Sequence, residues 1–500
     1  MKKDLPEIDE EEMTELTPSG PAVTARSPIE MFNLLCPIEL IEDITFETNR
    51  YKVELNRNRV RNISVSEMKV FLGIILYMGV IKLPNRRMYW GAEARQQHVV
   101  DVMTINRFEE IMSVLHVNDN ASQKKIGEPG YDRLHKVRPV LDKLRLAYQA
   151  VTISESHQAV DEQIIPFKGR HSMKVYMAKK PKKWGYKAWV RAGRSGYVYD
   201  YYLCGDNTVV TPPGIPEYIG ESGRVVLRLC DSLSHTNKYI YFDNYFASVD
   251  LLVELKSRGL NATCTMQAPR SGKCPLKPEK ELKKTGRGSN SFQLEKDNEV
   301  VVCQWYDNRQ VIVASTAHPV HPLVEVERYD KSKKLKVKVK CPFLIQKYNK
   351  NMGGVDKADM LLSLYRCFFK SRKWYKRILF HFLDVSLNNA WLLYRKAKGA
   401  NIQLAKFKLQ IARTLMMTDC SVSEEGPSVD RSPRMSVKDI PDTTRYDRIG
   451  HFARQEGNSQ NAQRCKNPGC KRKSTFLCMK CCVFLCIDNK TDYFYRFHHK

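Results

Sequence analysis

No stretch of this chain is long and apolar enough to cross a bilayer. The best run, Phe71–Ile81 (FLGIILYMGVI), is about half of the roughly 20 residues a spanning helix needs, and it reads as a buried helix. The opening MKKDLPEIDEEEMTEL lacks an apolar stretch, so no secretory signal is expected there. No P-loop is present to cradle a nucleotide, and no Ser/His/Asp or Cys/His arrangement to carry acyl transfer. Acid is scarce: 55 Asp and Glu stand against 82 Lys and Arg, a formal charge of +27. A balance so basic points to an acidic partner, nucleic acid ahead of an anionic membrane. Of 15 cysteines, six fall between Cys465 and Cys486 and the rest are scattered. That excludes a disulfide scaffold and argues for metal binding in a reducing compartment. Cytosol or nucleus follows, and a DNA partner selects the nucleus. No membrane partner and no small-molecule substrate are expected.

Against this background a few segments are informative. Five hundred residues imply two to four domains, and 42% hydrophobic content is ordinary for globular protein. Residues 1–27 are acidic and rich in Pro, Ser and Thr, and are expected to be a disordered tail. Ser27-Pro28-Ile29-Glu30 and Ser64-Val65-Ser66-Glu67 are capping boxes, and residues 28–155 have all-helical patterning. From 156 to 266 strands dominate: His157–Phe167, Lys174–Met177, Tyr186–Ala192 and Tyr197–Cys204. A helix-like Arg224–Leu233, a buried aromatic strand Tyr239–Phe246, a helix and a last strand complete this part. Residues 267–342 interrupt the alternation with a β-rich insertion whose hairpin joins Val300–Tyr306 to Gln310–Ala314. Helical pattern returns over 343–369 and 370–417. Residues 418–445 are linker by composition, and 460–500 hold the cysteine cluster. The predicted fold is α/β and multidomain. Its order of strands, helix, buried strand, helix and strand matches an RNase H-like core.

Three segments place an aspartate where a divalent metal is suited: AVDEQIIPF with Asp161, IYFDNYF with Asp243, and NMGGVDKADM with Asp356 and Asp359. In an RNase H-like order the first strand and the strand after the first helix are neighbours, about 4.8 Å apart. Asp161 and Asp243, each within its strand, can then share an ion. Asp356 and Asp359 are three apart, on one helix face. Gly353-Gly354 before them permits a tight turn or a close backbone approach. Taken alone, these two acids could equally cap a helix N-terminus; the joint occurrence favours a metal site.

Residues 168–194 carry ten basic residues and no acid: Lys168, Arg170, Lys174, Lys179, Lys180, Lys182, Lys183, Lys187, Arg191 and Arg194. Trp184, Tyr186 and Trp189 are interleaved among them. The strip follows Asp161 and is expected to contact phosphates. Arg372 and Lys373 join it as candidate DNA contacts. In the tail, Cys465-x4-Cys470-x7-Cys478-x2-Cys481-Cys482-x3-Cys486, followed by His498-His499, has zinc-site spacing.

VDEQIIPFKGR, IYFDNYF, NMGGVDKADM and SRKWYKRILFHFLDVSLNNAWLLY together resemble the piggyBac transposase family, in one collinear order from about residue 28 onward. The resemblance implies a DDD catalytic core with Asp161, Asp243 and Asp356 as ligands of Mg2+ (or Mn2+) and Asp359 as a further family aspartate. It implies flanking helices that serve dimerisation and DNA binding. It also implies double-stranded DNA as partner, at transposon ends and TTAA targets, and a homodimer. A cross-brace Zn2+ module is implied with Cys465, Cys470, Cys478, Cys481, Cys486 and His498 as ligands. Tyr493 stands before Phe494 where family members often have cysteine. One zinc site therefore lacks a ligand, uses Cys482, Asp488 or His499 instead, or is lost. Two readings compete with an active transposase. One is a catalytically silent, domesticated DNA- or chromatin-binding protein. The other, an unrelated Mg2+-dependent nuclease on the same fold, leaves the flanking motifs and zinc tail unexplained.

Overall fold

The computed structural model describes residues 13–57, 59–178, 180, 182–272, 274–331, 333–367, 371–417, 451–455, 462–478, 481, 483–487 and 492–499. They divide into two compact units. One comprises the chain up to Val65, Ile75–Val80 and Val114–Thr414; the other comprises Ser66–Ile74, Ile81–Ser113 and the chain from Leu415.

In the first unit, helix α1 (Pro28–Leu35) begins at a working capping box. Ser27 Oγ accepts from the Glu30 N–H at 3.3 Å and donates to Glu30 Oε1 at 2.9 Å. Helices α2 (Ile38–Glu54) and α3 (Arg138–Ala150) follow, a 3-10 turn at His135–Val137 leading into the latter. The expected disorder through residue 27 is corrected over the described part of that segment. Met13, Leu16 and Ala22 are buried, and Thr17–Pro18 pairs with Thr152–Ile153. Glu15 accepts from the His157 N–H at 3.0 Å, and its other oxygen lies 2.6 Å from His157 Nδ1. Buried apolar side chains outweigh the polar composition that favoured disorder.

A nine-stranded sheet forms the centre. Strand β1 (His157–Pro166) pairs antiparallel with β2 (Trp184–Gly193), which also carries β3 (Val198–Leu203) and the short Val175–Tyr176. Helix α4 (Glu221–Cys230) leads to β4 (Tyr239–Phe242), parallel to β1. Helix α5 (Val249–Ser257) leads to β5 (Asn261–Thr265), parallel to β4. The β-rich insertion is not a module apart. Its strands β6 (Asn290–Glu295), β7 (Val300–Tyr306) and β8 (Gln310–Ser315) continue the same sheet, because β8 pairs with β5. Only β9 (Val324–Asp330) and β10 (Leu335–Cys341) form a separate hairpin. One face of the sheet buries Val160, Val226, Ile240, Phe242, Leu251 and Leu255 under α4 and α5. Helices α6 (Phe343–Asn351), α7 (Gly354–Leu364), α8 (Trp374–Lys398) and α9 (Leu404–Met417) follow. Helix α7 packs across β1 and β2. The long α8 is strapped to β3 by Asn389, whose amide accepts from the Val198 N–H at 3.0 Å and donates to its carbonyl at 2.9 Å.

In the second unit, Glu67 takes both Nε and Nη2 of Arg107 at 2.7 Å. Phe71 meets Phe108 with ring centroids 5.0 Å apart. The cysteine cluster has its own small core, in which Val483, Leu485 and Phe497 are buried with five cysteines. The expected linker at 418–445 lies outside the described residues. No described helix is long and apolar enough to cross a membrane.

Candidate metal centres and nucleic-acid interface

Strand β4 ends at Phe242, so Asp243 lies just past the strand and not within it, as the aromatic run IYFDNYF suggested. Its side chain ends the strand: Asp243 Oδ1 accepts from the Tyr245 N–H at 2.9 Å, a local turn that competes with the ladder. The last parallel pair is Val160 with Phe242. Carried one residue further, that register sets Asp161 beside Asp243, at the carboxyl end of a parallel strand where open α/β sheets bind ligands. Arg270 secures the loop, Nη1 donating to the carbonyls of Asn244 at 3.1 Å and Tyr245 at 2.8 Å.

Helix α7 brings the other two acids. Asp356 is in its first turn and exposed, and Asp359, one turn on, is half-buried. Asp359 interacts with Gln163 of β1, whose Oε1 lies 2.7 Å from His381 Nε2. Its Oδ1 is buried with no hydrogen-bond partner, an orphan acceptor suited to a cation.

Charge at this site is costly. Burial first, then the charges of Glu162 and Asp243, push the Asp161 carboxyl up to about 8. Burial and Glu162 raise Asp243. Burial raises Asp359 to about 6 against the pull of Arg366 and Lys180. Carboxylates that repel one another in a dry cleft are what a divalent cation relieves. Among the described residues, the aspartate oxygens are not one of the two donor groups that close to within 4.8 Å of one another.

Those two groups are in the cysteine cluster. His451, Cys478, Cys481 and His498 form one; Cys465, Cys470 and Cys486 form the other. In the first, His451 Nδ1 is 3.5 Å from both Cys478 and Cys481 Sγ. His498 Nδ1 donates to the Phe494 carbonyl at 2.8 Å, which leaves the buried Nε2 to face the Cys478 thiol. That is the orientation of a ligating histidine. A hydrogen bond from Cys481, then those of His498 and His451, pull the Cys478 thiol down to about 3 against burial. In the second group Cys470 and Cys486 Sγ are 3.9 Å apart. Tyr493 and Phe494 pack against the cluster, and the Arg472 guanidinium lies 5.3 Å from the Tyr493 ring. His499 is turned to Tyr495, its Nδ1 3.0 Å from that carbonyl. Cys482 and Asp488 lie outside the described residues. His451 was not anticipated from the sequence, since it precedes the cysteine run at no recognised ligand spacing.

The basic strip is divided in its roles. Lys168, Arg170, Lys182, Lys183 and Arg372 are exposed. Lys174 lies over the Trp184 ring at 4.6 Å and Lys373 over Tyr51 at 4.9 Å. Lys180 turns to the acids, 3.2 Å from Glu162. Arg191 is corrected from candidate surface charge to core: it is 2% exposed and donates to the Leu229 carbonyl at 2.6 Å. Lys179 lies outside the described residues.

The family model described as transposase IS4 matches residues 27–391, which defines the class as a transposase. PiggyBac transposable element-derived protein 3 of Homo sapiens is 33% identical over 476 residues, 94% of this chain and 76% of that protein. PiggyBac transposable element-derived protein 2 of Homo sapiens is 31% identical over 432 residues, 85% of this chain and 70% of that protein. The solved piggyBac transposase synaptic complex with hairpin DNA has the same fold. Its TM-score is 0.69 at 19% identity, over 96% of this chain and 99% of that one. This chain belongs to the piggyBac family of transposases and transposable element-derived proteins.

Proposed function

We propose that this chain is a metal-dependent DNA transposase that cuts strands at element ends and joins them at TTAA targets. Its core is RNase H-like, with Asp161, Asp243 and Asp356 as the catalytic metal ligands and Asp359 beside them. The observation that carries the reading is the convergence of acids from three distant segments. They come from the middle of β1, the position just past its parallel neighbour β4, and the start of α7, the helix that packs across β1. Four hard carboxylates with one orphaned oxygen suit Mg2+ or Mn2+. Such an ion, when bound, supplies nucleophile activation and stabilisation of the leaving oxygen.

The chain's own residues do the positioning. The Glu162 N–H donates to Asp161 Oδ1 at 2.7 Å, fixing that carboxylate. The loop clipped by Arg270 holds Asp243, and α7 carries Asp356. Lys168, Arg170, Lys182, Lys183 and Arg372, all exposed, would grip backbone phosphates. The two sulfur-rich groups would hold Zn2+ and serve recognition of element ends. The helices at 28–155 and 370–417 would serve dimerisation and DNA binding, with action in the nucleus.

An in vitro strand-transfer assay tests this. The purified full chain with Mg2+ or Mn2+, a TTAA target and a donor bearing candidate ends should yield joined product, which Asp243→Ala removes without loss of DNA binding. One observation favours a second reading. The group of Cys465, Cys470 and Cys486 has no fourth donor among the described residues, with Tyr493 in the place of a cysteine. Equal binding and no joining by both proteins would identify a catalytically silent DNA- or chromatin-binding derivative.

A further inference from the structure

Lysine is an unusual occupant of a cleft built to hold a metal ion. Lys180 Nζ is 3.2 Å from Glu162 Oε1, with side chains 25% and 14% exposed. Glu162 directly follows Asp161, and the Lys180 ammonium is within electrostatic reach of Asp161, Asp356 and Asp359 as well. One cation thus faces acids from both β1 and α7. Lys187, another lysine near these acids, is held differently. Its ammonium lies 3.8 Å from the Trp189 ring centroid and 4.7 Å from that of Tyr245, so its closest neighbours are aromatic faces. A lysine ion-paired to Glu162 is not a free phosphate contact, despite its place in the basic strip.

We propose that Lys180, paired to Glu162, is the resident counter-ion of the carboxylate cluster, offsetting its negative charge in the metal-free protein and opposing the entry of a divalent ion beside it. The inference rests on the reading of those aspartates as a metal centre. Unlike charges within a few ångström hold one another, and like charges crowded in a partly dry cleft need a cation. A tethered ammonium meets that need without a metal, and its displacement sets the metal concentration at which the site fills. It is a positioning residue by this argument, acting through the carboxylates.

The test is Mn2+ binding to the zinc-loaded full chain without DNA, followed by the loss of free-Mn2+ electron paramagnetic resonance signal. Lys180→Met should bind about fivefold more tightly than wild type, the effect of removing one partly screened charge. Lys180→Arg should retain the wild-type affinity. Lys180→Gln gives a second, polar probe should the Met variant fold poorly, with the same tightening expected. Unchanged or weaker binding in the neutral variants would overturn the proposal. The control is Asp243→Asn. If it loses Mn2+ while the Lys180 variants behave as wild type, only the counter-ion role is refuted. If it binds as wild type does, the metal centre itself is refuted along with it.

Discussion

Gly354 and Gly193 meet backbone to backbone: a Cβ on Gly354 would lie 2.5 Å from the Gly193 carbonyl oxygen and 3.0 Å from that of Ala192. This contact seats the start of α7 on the end of β2 and so fixes where Asp356 enters the site. Gly354→Ala cannot be absorbed by a side-chain shift, since the obstacle is main chain. The helix must lift, at about 1–3 kcal/mol. The expected outcome is a lower thermal midpoint together with strand cleavage reduced by about a hundredfold, with DNA binding retained. Gel-based cleavage and binding assays on the same preparation separate the two.

Beneath that turn sits Glu155, buried, accepting from the Ser195 N–H at 3.0 Å, the Ser195 hydroxyl at 2.5 Å and the Tyr199 hydroxyl at 3.1 Å. Burial pushes its carboxyl from the usual 4.5 up to about 7. The folded chain therefore holds this proton where the unfolded chain has lost it. Stability from this group is full below about 4.5 and is lost as pH rises through about 7. Glu155→Gln should flatten that part of the profile, by on the order of 3 kcal/mol between pH 5 and pH 8. Urea midpoints of the two proteins at those pH values check it; parallel profiles would remove Glu155 as the source.

The neighbouring placement of Asp161 and Asp243 was legible in the sequence because the order of strand, helix and buried aromatic strand leaves few ways to pair. Where β4 stops was not. Aromatic residues run on to Phe246, and only the Asp243 side chain, bonding the Tyr245 N–H, ends the ladder. The hairpin of β7 and β8 was legible from its alternation, but its partner β5 is a matter of tertiary pairing. Arg191 belonged by composition to a charged strip. By register it points into the core, where it donates hydrogen bonds to the Leu229 carbonyl and the Gln158 side-chain oxygen. His451 carried no signal, since the cysteine spacing alone does not reveal which distant residue completes a donor set.

That donor set makes a separate prediction. His451→Ala removes one of four donors around Cys478 and Cys481, while Cys465→Ser removes one of three in the other group. Each variant should release about one zinc on mild chelation, and the double variant about two, because the groups share no ligand. Zinc measured by inductively coupled plasma mass spectrometry after gel filtration reads this directly. Zinc content unaltered by His451→Ala would remove that residue from the ligand set. Tyr493→Cys should tighten the second group, read as slower release to a chromogenic chelator.

Arg270 provides the sharpest probe of the catalytic reading, because it touches no acid. Its guanidinium binds the carbonyls of Asn244 and Tyr245 and so holds the loop that presents Asp243. Arg270→Ala removes no carboxylate but frees the loop that carries Asp243, and a misplacement of about 1 Å at a reacting group costs roughly a hundredfold in rate. The expected outcome is a large fall in the cleavage rate at saturating Mg2+, with DNA affinity little changed. Arg270→Lys, which restores one donor, should recover part of it. Were Asp243 merely a turn former, loosening this loop would alter thermal stability alone. A rate loss that exceeds the stability loss, partly rescued by lysine, therefore marks the loop as part of the reacting centre.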